Sequence, residues 1–166
     1  VKKVTLLIKP EGCESMTTNE FSASALIQAP PARVYAIFAD YHDAHPAILP
    51  KPPFVSLAVE QGGVGAGTVI QIKMRLFGQL QTFRSFVTEP EPGRVLVESN
   101  DTGYVTSFIV EPRGPHSYVT IRTQINQPTG WRSRFEAWLV ARLLRPVYVR
   151  ELANVAALAT KQTNAQ

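Results

Sequence analysis

Residues able to do chemistry are sparse in this chain, and they fall in three places. The densest is Asp40-Tyr-His-Asp-Ala-His45. His42 and His45, three apart, could share a helical face with Asp43 nearby, which is the residue set of a metal site. Zinc needs three or four protein ligands with supporting hydrogen bonds. No further ligand is evident downstream, because His116 reads as a turn residue. The expectation is therefore no metal and no other cofactor. The second place is a scatter of polar residues on strands: Arg84, Glu98, Asn100, Tyr104, Thr106, Arg122 and Gln124. Alternation with period two puts Tyr104, Thr106, Phe108 and Val110 on one face of their strand, and Tyr118, Thr120, Arg122 and Gln124 on one face of theirs. On a convex face these are solvated decoration. On a concave face Tyr104 and Arg122 could orient a carbonyl or carboxylate. The third place is a set of large apolar groups, Trp131, Phe135, Trp138 and Leu139, which read either as core or as a cavity wall.

Covalent catalysis finds no support. Ser107 and Ser117 are ordinary strand and turn residues, and no Gly-x-Ser-x-Gly elbow occurs. Cys13 is alone, so no intramolecular disulfide can form. Gly62, Gly63, Gly65 and Gly67 lack the Lys-Ser/Thr of a phosphate loop and open no helix, so they read as hairpin punctuation. No catalytic residue can be assigned from these patterns.

The elements that must position the candidates are legible. Phe21 to Ala29 is rich in β-compatible residues and is stopped by Pro30-Pro31. A helix opens at Pro31 or Ala32, where a proline loses no needed hydrogen bond. Val34, Ile37 and Phe38 give it a buried face, and Asp40, Pro46 and Pro50 close it into a broken second helix. Strands follow at Phe54 to Val59, Thr68 to Leu76, Gln79 to Glu89, Arg94 to Ser99, Tyr104 to Glu111 and Ser117 to Ile125, with turn residues between. Short strands at this spacing, with a helix at each end, predict an antiparallel α+β sheet rather than βαβ units. From Gly130 to about Lys161 the pattern is helical, with a kink or break expected at Pro146. Its first apolar stripe is Trp131, Phe135, Trp138 and Leu139; its second is Tyr148, Leu152, Val155 and Ala159. The second lies roughly 100° from the first on one wheel, so a bent helix could aim both at one curved sheet.

A chain of 166 residues, 45% hydrophobic and 18% charged, suits one domain with a real core. No apolar run approaches the ~20 residues of a membrane span, and Val4 to Ile8 is short for a signal-peptide core; a cytoplasmic protein is the default expectation. Val1 to Ser15 reads as an extension or an extra edge strand, and residues 16–166 as the single domain. The net charge of +4 is modest but uneven. Arg132, Arg134, Arg142, Arg145 and Arg150 face only Glu136 and Glu151 in the last helix. That basic stretch is a solvated face or a site of attraction for an anionic ligand, an acidic partner or transiently an anionic membrane. Nucleic acid is not expected, since no reader motif accompanies the arginines.

Several local patterns then fall into one order: Ala29-Pro30, Val34-Tyr35, Asp40 and Pro46; Gly65-x-Gly67 before a strand; Val87-Thr-Glu-Pro-Glu-Pro-Gly-Arg-Val95 across a hairpin; Thr106-Ser-Phe-Ile-Val-Glu-Pro112; and Tyr118-Val-Thr-Ile-Arg122 before the long helix. This order resembles the START-like, helix-grip superfamily, which includes polyketide cyclases, aromatase/cyclases and plant Bet v 1-like proteins, and it is most similar to the polyketide cyclase/dehydratase branch. The resemblance spans about Phe21 to Lys161. It implies a helix-grip fold: a strand, two short helices, six strands, and a C-terminal helix gripped by the curved sheet. It also implies an apolar internal cavity between sheet and helix that binds a small hydrophobic molecule. Tyr104, Arg122, Glu98, Trp131, Phe135, Trp138 and Leu139 are the cavity candidates. Cyclase/dehydratase-like chemistry in such a pocket would rest on placement and proton transfer. The rival readings are a non-catalytic carrier of lipid or isoprenoid and a co-chaperone-like interaction domain.

Overall fold

The computed structural model describes residues 20–126 and 131–161, and Val1 to Ser15 lie outside them. Strand β1 (Glu20–Ile27) leads into α1 (Pro31–Ala39) and α2 (Ala44–Ile48). Six strands follow: β2 (Phe54–Gln61), β3 (Val69–Leu76), β4 (Gln79–Glu91), β5 (Val95–Asn100), β6 (Tyr104–Arg113) and β7 (His116–Ile125). The chain ends in α3 (Trp131–Lys161). All seven strands form one antiparallel sheet in the order β1-β7-β6-β5-β4-β3-β2. The β1–α1–α2–β2 connection therefore crosses the whole sheet, while every later connection between strands is a hairpin. Irregular register in β2 and β4 marks bulges, which bend a sheet.

The sheet buries the face that alternation demands. Ile70, Ile72, Met74 and Leu76 of β3 point inward, as do Phe108 and Val110 of β6 and Val119, Ile121 and Ile125 of β7. Helix α1 buries Val34, Ile37 and Phe38, and α3 buries Leu144, Val147, Tyr148, Leu152, Val155 and Ala159. Burying each large aliphatic side chain stabilises the fold by about 1.5–3 kcal/mol. Helix α3 packs on β1, β7, α1 and α2, which sets its late stripe against one end of the sheet.

Two expectations about α3 need correction. Pro146 does not break it; the helix runs through as one element with the proline inside. Pro146 is exposed, so the carbonyl that its missing N–H leaves without a donor lies toward solvent, where water satisfies it. Nor does the sheet grip the described aromatic residues of the first apolar stripe. Phe135 and Trp138 are 59% and 55% exposed, and Leu139 is half-buried. The described packing partners of α3 are met by the second stripe, which leaves Phe135 and Trp138, offset around the helix, turned away from them.

Candidate ligand-binding site

Strand register builds a polar row that no single strand contains. On the concave face Glu98 of β5 is opposite Thr106 of β6, Thr106 is opposite Thr123 of β7, and Thr123 is opposite Phe21 of β1. Thr106 and Thr123 share a hydrogen bond of 2.8 Å. Helix α3 lowers Tyr148 onto this row: its hydroxyl lies 2.6 Å from Thr123 Oγ1, and its ring stacks on Phe21 at 5.5 Å. One turn further on, Glu151 stands in the same buried arc at 2% exposure.

The α1–α2 turn supplies the other wall. Asp40 organises it by accepting hydrogen bonds from the backbone N–H groups of His42, Asp43 and Ala44 at 3.1–3.3 Å. The glycine-rich β2–β3 connection then pins the turn from outside: Tyr41 N–H donates to Gly63 and Gly65 N–H donates to Ala39, both at 2.9 Å. Gly63 has φ +127°, and a Cβ there would lie 1.9 Å from His42 Nε2, so only glycine fits. At Gly65 a Cβ would lie 2.6 Å from the carboxylate of Glu89, which accepts from Ala66 N–H at 2.8 Å and from the Tyr35 hydroxyl. These glycines thus do more than punctuate a hairpin; they fix where Tyr41 points.

Tyr41 points inward. Its hydroxyl donates to Glu98 Oε1 at 2.7 Å, and its ring stacks on His45 at 4.7 Å. His45 is 2% exposed and edge-on to Phe38 and Phe108. Its Nδ1 is 2.7 Å from the Phe38 carbonyl; a carbonyl only accepts, so Nδ1 carries the proton. Nε2 then faces Glu98 Oε1 at 3.8 Å, too long for a hydrogen bond. His42 is exposed and stands over Gly63, so the two histidines share no face.

The electrostatics follow from this burial. Desolvation first, and the charge of Glu98 second, hold the Glu151 carboxyl well above the usual carboxylate range. Burial and then Glu98 likewise raise the Tyr41 phenol far above its ordinary value, and burial raises Tyr148. At neutral pH both phenols keep their protons, and Tyr41 donates its own to Glu98. Glu151 Oε1 is buried with no hydrogen-bond partner among the described residues, an arrangement that is costly unless something meets it.

Two clefts open on the α2–β2 side. The larger, about 480 Å³ and open to solvent, is lined by Tyr41, His42, Leu57, Val59 and Glu60 among others. A narrower one of about 190 Å³ continues along β2 past Leu57 and Phe54 to Pro46 and Leu49. Tyr41 lines the larger cleft and carries its hydroxyl to Glu98, so it connects the opening with the polar row.

The candidates from sequence separate accordingly. Glu98 is buried at the centre and Tyr104 is half-buried on the same concave face. Arg122 is on the other face, paired with Glu20 at 3.2 Å. Val119 and Ile121, both fully buried, claim the inward phase of β7, which turns Tyr118, Thr120, Arg122 and Gln124 outward. Phe135, Trp138 and Leu139 stand on α3 away from this centre, and the side chain of Trp131 lies outside the described residues. Tyr41 and Glu151, which the sequence patterns do not single out, join Glu98 at this candidate site. For Glu151 a signal existed: it sits between Tyr148, Leu152 and Val155 on the apolar arc, where a carboxylate does not belong unless it has a task. Tyr41, in a turn, gave none.

One antiparallel sheet packed against a long C-terminal helix, with two short helices after the first strand, is a helix-grip fold. The sequence matches, over residues 18–160, the family described as polyketide cyclase / dehydrase and lipid transport, and the chain belongs to it. It is a helix-grip domain of hydrophobic-ligand-binding type. The structure is similar to that of KanY protein, at 26% identity and a TM-score of 0.74 over 85% of this chain and 97% of that one. A protein of Thermus thermophilus follows at 19% and 0.67, covering 86% and 98%. A START superfamily protein of Mycobacterium smegmatis stands at 13% and 0.66, covering 87% and 99%; these two likenesses show the fold alone. No curated protein matches the sequence.

Proposed function

We propose that this domain binds a small hydrophobic molecule carrying a carbonyl or hydroxyl group. Its oxygen is met by Glu151, beside the hydrogen-bonded pair of Tyr41 and Glu98, and its apolar body lies along Leu57, Val59, Ile72 and Phe83. The observation that carries this reading is the buried, unpartnered Oε1 of Glu151 beside a second acid that already accepts a phenol hydrogen bond. Apolar pockets with a few convergent polar groups are the usual form of small-molecule sites. A protonated Glu151 donates to a ligand oxygen, which a charged carboxylate cannot do.

The same arrangement supports cyclase/dehydratase-like chemistry on a flexible poly-keto ligand. Glu151 would polarise one carbonyl by donating its proton. Glu98, held in place by Tyr41, would accept a proton from the carbon or hydroxyl beside it, with no covalent intermediate. A carrier of lipid or isoprenoid would use the same pocket without turnover.

The test is native mass spectrometry of freshly purified protein for a copurified ligand, followed by titration with matched probe pairs, an aromatic ketone and its parent hydrocarbon. The ketone binds wild type more tightly, and Glu151→Leu removes about tenfold of that preference while leaving the hydrocarbon unchanged, as loss of one buried hydrogen bond implies. If neither probe binds and no ligand copurifies, the reading fails, and an interaction domain with a filled pocket takes its place.

A further inference from the structure

Before Pro146, α3 presents to solvent two aromatic side chains. The rings of Phe135 and Trp138, both more than half exposed, lie 5.9 Å apart and 27° from parallel. The Arg142 guanidinium stands over the Trp138 ring at 6.0 Å from its centroid. Phe135, Trp138 and Arg142 fall within roughly 60° of one another around the helix, and about 120° from the arc of Tyr148, Glu151, Leu152 and Val155. Leu143 and Arg145 flank them and are exposed. The described side chains of this surface are two aromatic rings, a leucine and two arginines, and among the described side chains of α3 the one carboxyl, Glu151, is buried.

We propose that this face docks on an anionic lipid bilayer. Interfacial helices lie in the membrane plane with Trp, Phe and Leu among the acyl-chain ends and Arg toward the headgroups. Indole and phenyl rings favour that depth, and each arginine near an anionic surface strengthens attachment by roughly fivefold. A second copy of the chain is the less suitable partner, because a two-fold contact through this face would set the same arginines against one another. A bilayer complements both features at once. Docking there would bring a protein of hydrophobic-ligand-binding type to the phase in which such ligands dissolve, yet it rests on this surface and not on Glu151.

The test uses the full chain with vesicles of phosphatidylcholine, alone or mixed with phosphatidylglycerol whose acyl chains are brominated. Wild type cosediments with the anionic vesicles, its tryptophan emission is quenched by the bromine, and salt weakens the attachment. Vesicles of phosphatidylcholine alone retain little. Arg142→Glu with Arg145→Glu lowers partitioning by about tenfold or more, and Phe135→Ser abolishes most quenching. These positions are exposed, so unchanged melting curves confirm that the variants fold. The proposal is overturned if wild type ignores anionic vesicles, or if both variants partition like wild type. It is equally overturned if wild type is a dimer in solution that Phe135→Ser converts to monomer, since the face then belongs to a second copy. Titration with the ketone probe fails or succeeds independently of all three outcomes.

Discussion

The described large side chains of α3 divide on either side of Pro146. After it, Tyr148, Glu151, Leu152, Val155 and Ala159 are all buried; before it, Phe135, Trp138 and Leu143 are exposed, and Leu144, which lies on the later half's buried arc, is inside. Even a carboxylic acid is inside on one half, while an indole is outside on the other. Residue type did not sort them. Phase did: α1, α2, β1 and β7 take one arc of the helix, and whatever stands on that arc is buried with it. The consequence is a helix with two jobs, one half holding the interior and its acid, the other presenting a surface.

The largest effect expected from breaking this division is Leu152→Ala, which leaves a void under a fully packed turn and costs about 2–5 kcal/mol in urea unfolding. If Leu152 costs no more than an exposed residue, the late half does not hold the interior. Tyr41→Phe comes next, at about 1–3 kcal/mol, because it leaves Glu98 buried without its phenol partner.

Glu151 gives a prediction with a sign. Its carboxyl is raised in the folded protein above the unfolded value of 4.5, so the folded state binds the proton more tightly. The associated stability is fully present below about pH 4.5 and is lost as pH rises toward the folded pKa, by up to about 1.4 kcal/mol per pH unit. Urea unfolding of wild type from pH 4.5 upward should therefore show stability falling relative to Glu151→Gln. Parallel profiles would mean that Glu151 is not the buried acid described. At the small end, Trp138→Ala should change stability by only about 0.5 kcal/mol. A loss of several kcal/mol would show Trp138 to be core after all and erase the contrast between the halves.

The polar centre and the glycine-rich connection show the same dependence on partners. Glycines at 63 and 65 read as turn residues from the chain alone. Their close approach to His42 and Glu89, and through the pinned turn their effect on Tyr41, needs the packing of the β2–β3 connection against α1. Glu98 stands among the candidates because it is a polar residue on a strand; that it meets Tyr41 and lies in a row with Thr106 and Thr123 follows from register across β5, β6 and β7.

The sequence by itself determined the elements and their order. Alternation in Thr68–Leu76 and Tyr104–Glu111, prolines and glycines at turns, and the Pro30-Pro31 stop are local signals, and local sterics and burial suffice to read them. It also determined an antiparallel α+β sheet, because short strands at this spacing between terminal helices pair as hairpins; the helix-grip arrangement was implied by the resemblance that the order of local patterns carries. Only the tertiary structure decided which face of β7 turns inward, sending Arg122 to solvent, which arc of α3 meets the sheet, and which acids lie within reach of each other's charge. Those choices depend on contacts between residues far apart in the chain. Periodicity fixes which side chains share a face, and only packing decides which face is inside.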